Sequence, residues 1–287
     1  MDISNWEKAG QYITIENHAI FVMDSGSTKD TIVILHGYPT SSYDYKAVLP
    51  LLVPHFRVVI HDHLGFGLSD KPTDYSYSLM EQADRALLIW QKLGIKQAHL
   101  LAHDYGTSIA TELIARRNFG FEAVKLESLT LCNGSVHIEL AKLRLIQKLL
   151  RNRWIGPIIA QLSSKRIFRK NMRQLWFDKS KLSEAEVDSM WELLTMKGGK
   201  KALPRITQYL RERELFWHRW VGALKKSNLK SNILWGNNDP ITGGDIAKLH
   251  HEEMPGSTLR ILDKIGHYPM IEEPGRWATE LLDLLKT

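Results

Sequence analysis

Four short segments of this 287-residue chain hold side chains that can do chemistry. In Leu100-Leu101-Ala102-His103-Asp104-Tyr105-Gly106-Thr107, Asp104 has a small residue two positions away on either side, Ala102 and Gly106. That spacing suits a tight turn from a strand into a helix, with the carboxylate at the exposed apex. The helix N-terminus beyond it favours the ionised form. An ionised carboxylate needs no base to attack an sp³ carbon that bears a leaving group, and the product is a covalent ester. Aspartate also caps helices, and this segment alone leaves both uses open. In His36-Gly37-Tyr38-Pro39, the backbone N–H of Tyr38 can join that of Tyr105 around a developing oxyanion. Taken alone, those four residues are only a strand-exit turn. Asp239, in Asn238-Asp239-Pro240, and His267, in Gly266-His267-Tyr268, complete the set. A histidine oriented by an acid can deprotonate water and so hydrolyse such an ester. With 12 histidines in the chain, His267 by itself proves little. The order Asp104, Asp239, His267 carries the weight.

The elements that must position these groups follow from the apolar pattern. Tyr12–Ile15 and Ala19–Met23 flank Glu16-Asn17-His18 as a hairpin. Thr31–Leu35, Arg57–Ile60, Ala98–Ala102, Leu126–Cys132, Asn232–Trp235 and Thr258–Leu262 are short apolar runs typical of strands buried on both faces. Helical spacing covers Ser78–Leu93 and the stretch through Ile109, Leu113 and Ile114, then Asp245–His251 and Trp277–Leu285. Strands alternating with helices predict a mainly parallel sheet with right-handed crossovers. Each chemical segment then falls at or just beyond the carboxyl end of a strand, where ligands bind in open α/β sheets. Between residues 134 and 230 the strand signal vanishes. Helical stretches replace it, with breaks at Gly156-Pro157, Gly198-Gly199 and Pro204. The expected organisation is an α/β core formed by residues 1–133 and 231–287, with an inserted helical cap over 134–230.

Charge supports the same division. Between Lys142 and Lys230 there are 22 Lys and Arg against 7 Asp and Glu, a balance of +15; the totals of 38 and 32 leave 16 against 25 elsewhere, or −9. One cysteine, Cys132, excludes an internal disulfide framework and fits a reducing compartment. The first residues lack the basic and apolar regions of a signal peptide, and no apolar run approaches a bilayer span, so the expected location is cytoplasmic.

These motifs, with Asp62-His63-Leu64-Gly65-Phe66-Gly67-Leu68-Ser69, resemble the α/β-hydrolase superfamily over nearly the whole chain. Within it they resemble the branch of epoxide hydrolases and haloalkane dehalogenases, whose elbow carries aspartate where esterases carry serine. The resemblance implies Asp104 as nucleophile, His267 as general base, Asp239 as its orienting acid, and Tyr38 and Tyr105 as the oxyanion hole. Some relatives place the acid after the preceding strand, but Asn133 stands near there and cannot be an anionic partner. Epoxide hydrolases of this branch use cap tyrosines to protonate the leaving alkoxide, and Tyr209 lies near the place of one of them; a core-edge packing role fits it equally, and no second cap tyrosine is evident. Dehalogenases hold the halide with a tryptophan after the nucleophile and a residue such as Asn after His-Gly; Tyr105 and Tyr38 depart from both.

The expected activity is therefore hydrolysis of a small apolar epoxide through an aspartyl ester, with no metal or organic cofactor. Haloalkane dehalogenation is the alternative, and a catalytically silent scaffold that binds apolar ligands is a third reading. Nine tryptophans, among them Trp154, Trp176, Trp191, Trp217 and Trp220, suggest an apolar pocket or simple cap packing. No nucleic-acid motif accompanies the basic block. With Trp154, Ile155, Ile158 and Ile159 interrupting its charges, that block suits either plain solvation or contact with an anionic surface.

Overall fold

The computed structural model describes residues 1–286. Eight strands, β1 (Gln11–Ile15), β2 (His18–Asp24), β3 (Thr31–Leu35), β4 (Arg57–His61), β5 (Gln97–His103), β6 (Lys125–Cys132), β7 (Ser231–Gly236) and β8 (Thr258–Leu262), form one sheet in the order β1-β2-β4-β3-β5-β6-β7-β8. The pairs β1·β2 and β2·β4 are antiparallel, and every other pair is parallel. Both residues of the β1–β2 turn, Glu16 and Asn17, have positive φ (48° and 66°), as a two-residue hairpin of matching twist requires.

Among the described residues, thirteen α-helices accompany the sheet: α1 (Ile3–Ala9), α2 (Leu49–Leu52), α3 (Leu79–Lys92), α4 (Tyr105–Asn118), α5 (Leu145–Leu150), α6 (Gly156–Leu162), α7 (Lys165–Arg173), α8 (Glu184–Thr195), α9 (Gly199–Ile206), α10 (Tyr209–Lys226), α11 (Gly244–Glu253), α12 (Pro269–Glu272) and α13 (Pro274–Lys286). Helices α5–α10 all lie between β6 and β7 in the chain. The parallel strands are apolar on both faces because both faces are covered. Val33, Leu35, Leu100 and Ala102 share a buried cluster with α3 and α4. Their neighbours Ile32, Ile34 and Leu101 share another with α13. Burying each such aliphatic side chain stabilises the fold by roughly 1.5–3 kcal/mol.

Two local expectations change. Pro204 does not break a helix but sits inside α9. Its missing N–H leaves one bond to the preceding turn unmade, and the helix runs on to Ile206. Helix α1 was not expected from the pattern. Asp2 caps it, and Trp6 anchors it by burying its ring and donating Nε1–H to the Ser42 hydroxyl at 3.2 Å. Cys132, at the end of β6, is fully buried, and burial pushes its thiol up to about 12. No helix among the described residues is long and apolar enough to cross a membrane.

Candidate active site

Strand β5 turns into α4 at Asp104, whose backbone is forced to φ 46° and ψ −105°. Such a conformation costs a non-glycine residue of order 1–3 kcal/mol, so the surroundings must enforce it. Crowding shows how. A Cβ at position 106 would stand 2.2 Å from the Leu35 carbonyl oxygen, and one at 134 would stand 2.6 Å from the Asp104 Cα. Glycine at both places lets β3 and the chain after β6 press against the turn. Arg213, buried on α10, donates to the Asp104 carbonyl at 3.0 Å and to the Ser108 hydroxyl at 2.7 Å. The Asp104 side chain makes no capping bond to α4, so of its two possible uses the cap is not adopted.

Its carboxylate faces the other predicted residues. Oδ1 accepts the Tyr38 N–H at 2.8 Å, and Oδ2 lies 3.6 Å from His267 Nε2. His267 Nδ1 is 2.7 Å from Asp239 Oδ2. Since a carboxylate only accepts, Nδ1 carries a proton, and in the neutral imidazole Nε2 then has the lone pair on the side of Asp104. The N–H of Tyr105, the first residue of α4, has no intrahelical acceptor and opens at the same turn. The structure thus brings together Asp104, His267, Asp239, Tyr38 and Tyr105.

Asp239 is held by the N–H groups of Ile241 (2.7 Å) and Thr242 (3.1 Å), the Thr242 hydroxyl (2.6 Å) and the Asn133 amide (2.9 Å). Burial works to raise its carboxyl, but His267 and these donors outweigh it, and the net displacement is downward. For His267, burial works to lower the imidazole, and Asp239 followed by Asp104 overrides it upward. The neighbouring His103 is pushed down to about 4, chiefly by burial, and so is neutral; its Nε2 donates to the His267 carbonyl at 2.8 Å.

Above these groups lies a narrow cavity of about 90 Å³, reached by Tyr38, Asp104 and His267 and walled mainly by apolar side chains such as Leu150, Phe168, Met172 and Trp191. Of the five tryptophans suggested for a pocket, only Trp191 lines it. Trp176 stacks on Tyr268, Trp220 is buried against Glu112, and Trp154 and Trp217 face water.

Tyr209 is wholly buried at the start of α10. Its ring packs on Tyr38 and Tyr105, with centroids 5.5 and 5.2 Å apart. Its hydroxyl accepts from Gln147 at 3.2 Å, which leaves its own proton to be given elsewhere. Burial first, then the nearby Asp104 charge, raises its pKa well above the usual phenol value.

Sequence reasoning missed three contributors. One is the Tyr38 side chain: Tyr38 lines the cavity, its ring packs on Tyr209, its hydroxyl lies 3.2 Å from that of Thr207, and burial pushes it up to about 12. Asn133, set aside for lacking a charge, instead fastens Asp239 to β7, since its Oδ1 accepts the Gly236 N–H at 2.8 Å. The third is Arg213, for which the only sequence signal is its place one helical turn after Tyr209.

Residues 30–274 match the family model described as alpha/beta hydrolase fold. The LipZ protein of Mycobacterium tuberculosis is 36% identical over 283 residues, covering 99% of this chain and 98% of that protein. The mesoderm-specific transcript protein of Mus musculus is 34% identical over 282 residues, covering 95% of this chain and 84% of that protein. Two solved structures share the fold: haloalkane dehalogenase DbeA from Bradyrhizobium elkanii, with TM-score 0.83 and 20% identity over 96% of this chain and 97% of that one, and epoxide hydrolase CorEH, with TM-score 0.81 and 18% identity over 96% and 98%.

Proposed function

This chain belongs to the alpha/beta hydrolase fold family, and from that premise we propose that it hydrolyses an apolar epoxide through a covalent ester on Asp104, under a cap made by residues 134–230. The observation that carries the reading is the carboxylate of Asp104 placed between the Tyr38 N–H and His267 Nε2, with two buried tyrosines beside it.

In the first step Asp104 attacks a ring carbon of the epoxide, and the carbon–oxygen bond on the far side breaks. The leaving oxygen is an alkoxide, a stronger base than a phenolate, so it takes a proton from Tyr38 or Tyr209. Their raised pKa values keep both protonated at neutral pH. In the second step His267 Nε2 removes a proton from water, and the resulting hydroxide attacks the ester carbonyl. The N–H groups of Tyr38 and Tyr105 face the charge that develops there. Collapse breaks the ester bond to the alkyl oxygen. The proton of the added hydroxyl passes to that oxygen so that a diol leaves and Asp104 is again a carboxylate, and the imidazolium proton restores the phenolate to a phenol. Asp239 stabilises the imidazolium formed meanwhile. A halide would need no proton, only N–H donors in the cavity; the tyrosine pair therefore favours the epoxide.

The test is intact-protein mass after a His267→Phe variant meets panels of epoxides and haloalkanes. The first step then runs without the second, and the expected result is a gain equal to one whole epoxide. A gain equal to an alkyl group, with halide lost, replaces the epoxide reading with dehalogenation. Adduct formation that persists in His267→Phe/Asp104→Asn removes the nucleophile from Asp104.

A further inference from the structure

The helical segment carries an apolar strip that faces water. Ile155, Ile158 and Leu162 are three and four residues apart and so share one face of α6, while Gly156 and Ala160 bury the other. Ile158 is 59% exposed, Leu162 is 70% exposed and Trp154, just before the helix, is 80% exposed. On the next helix Ile167 is 49% exposed and also lines the cavity that holds Asp104. Its neighbours Phe168 and Met172 are buried and line the same cavity. Exposed apolar side chains thus continue along the chain from α6 into α7, where one of them, Ile167, also forms part of the wall of the candidate active site.

The charges that this segment itself contributes all have one sign. Residues 140–177 contain ten Lys or Arg and no Asp or Glu. Some of these cations reach carboxylates on other segments: Arg151 pairs with Glu214, Lys165 with Asp188, and Arg169 and Arg173 with Glu184. Among the described residues, Lys148, Arg153, Arg166 and Lys170 have no such partner. Solvation alone accounts for the cations but not for an aliphatic strip among them, because exposed aliphatic surface is unfavourable in water. Aliphatic side chains flanked by tryptophan and ringed by lysine and arginine match a bilayer interface instead. The apolar groups enter the acyl boundary, the indole sits at headgroup depth, and the cations meet anionic lipid.

We propose that this face, made by α6 and the start of α7, docks on an anionic lipid bilayer and admits apolar substrate from it past Ile167 into the cavity. The docking stands on the surface alone; the delivery rests on the function proposed for Asp104.

Flotation of the full chain with phosphatidylcholine vesicles, and with vesicles that also contain phosphatidylglycerol, tests the docking. Binding is expected to the mixed vesicles only, weakening as salt is added. Ile158→Asp/Leu162→Asp should weaken it by about tenfold or more, since two exposed aliphatic contacts become charges repelled by the surface. Both positions are exposed, so unchanged melting of the variant shows that the fold is intact. Absence of binding to mixed vesicles overturns the proposal, and so does equal binding by the variant. A dimer that the same variant dissolves would assign the strip to a second copy of this chain and overturn it too. For delivery, an epoxide dissolved in the mixed vesicles should trap more slowly on His267→Phe when the two aspartates are added, while a water-soluble epoxide traps equally; equal rates for both overturn it. Vesicle binding by Asp104→Asn keeps the two readings apart. Docking without any adduct in His267→Phe rejects the chemistry and not the surface, and an adduct without docking rejects the surface alone.

Discussion

His267 is pulled in two directions, and its carboxylate neighbours win over burial, so it holds its proton to a higher pH than an ordinary imidazole. Its proposed task needs the neutral form, with Nε2 free to take a proton from water. Hydrolysis of the ester should therefore fall as pH drops through the His267 pKa, which in the ester keeps the upward pull of Asp239 and loses the smaller one of Asp104. Single-turnover ester breakdown followed against pH checks this, and breakdown that does not slow in acid contradicts it. Asp239→Asn removes the strongest upward influence and the tautomer lock together. It should move the limb down and slow breakdown by roughly 10³–10⁴-fold. At this scale the sequence pointed to the residues that meet around Asp104 because type and order along the chain survive without coordinates. It did not show that Asn133 fastens Asp239, or that the Tyr38 side chain joins Tyr209. Those are contacts between residues 106 positions apart in one case and 171 in the other, and no local pattern encodes them.

Elements place the carboxylate by crowding. At Gly134 an added Cβ would meet the Thr107 hydroxyl at 2.4 Å and the Asp104 backbone nitrogen at 2.7 Å, both parts of the turn that holds Asp104. Gly134→Ala should cost about 1–3 kcal/mol of stability. By displacing Asp104, it should also slow adduct formation on the His267→Phe background by about tenfold or more. Gly222→Ala is the opposite case. It lies within α10 with open space around its missing Cβ, and should stabilise by about 0.5–1 kcal/mol. Urea melts of the pair check both signs; a Gly134→Ala protein as stable and reactive as its parent would refute the crowding account. Strands and long helices were legible here because an apolar run or a helical period spans each of them. Helix α1 was not, since one buried tryptophan gives no period. Pro204 misled because a proline gives up a bond to the preceding turn without dictating what the residues after it do.

Across the whole molecule, α10 is tied to α4 by a buried carboxylate. Glu112 accepts from Arg219 at 2.9 and 3.0 Å, from Arg116 at 2.9 Å and from the Trp220 indole at 3.0 Å. Burial works to raise its carboxyl, and these donors hold it below the ordinary value instead. A carboxyl lowered by folding contributes stability above its unfolded pKa, and that contribution is lost as pH falls through the folded one. Glu112→Gln should cost about 2–4 kcal/mol near neutral pH and flatten the loss of stability in acid. Urea melts at neutral and acid pH measure this, and a variant that keeps the parent's acid dependence would contradict it. The charge contrast between residues 142–230 and the rest was plain in the composition. The pairs that dock α10 on α4 were not, because Glu112 and Arg219 come from opposite sides of β6 in the chain.

The burial of Cys132 has a practical side. Its thiol, pushed up to about 12 and enclosed by β6 and its neighbours, is a poor target for alkylating agents at neutral pH. Electrophiles of the class proposed for Asp104 therefore meet a chain with no competing thiolate, which removes one source of mass increments away from the carboxylate. For the same reason the natural sequence already serves as a silent background for labelling. A cysteine placed at Ile158 would be the one reactive thiol, and a polarity-sensitive dye on it would report what surrounds that helix.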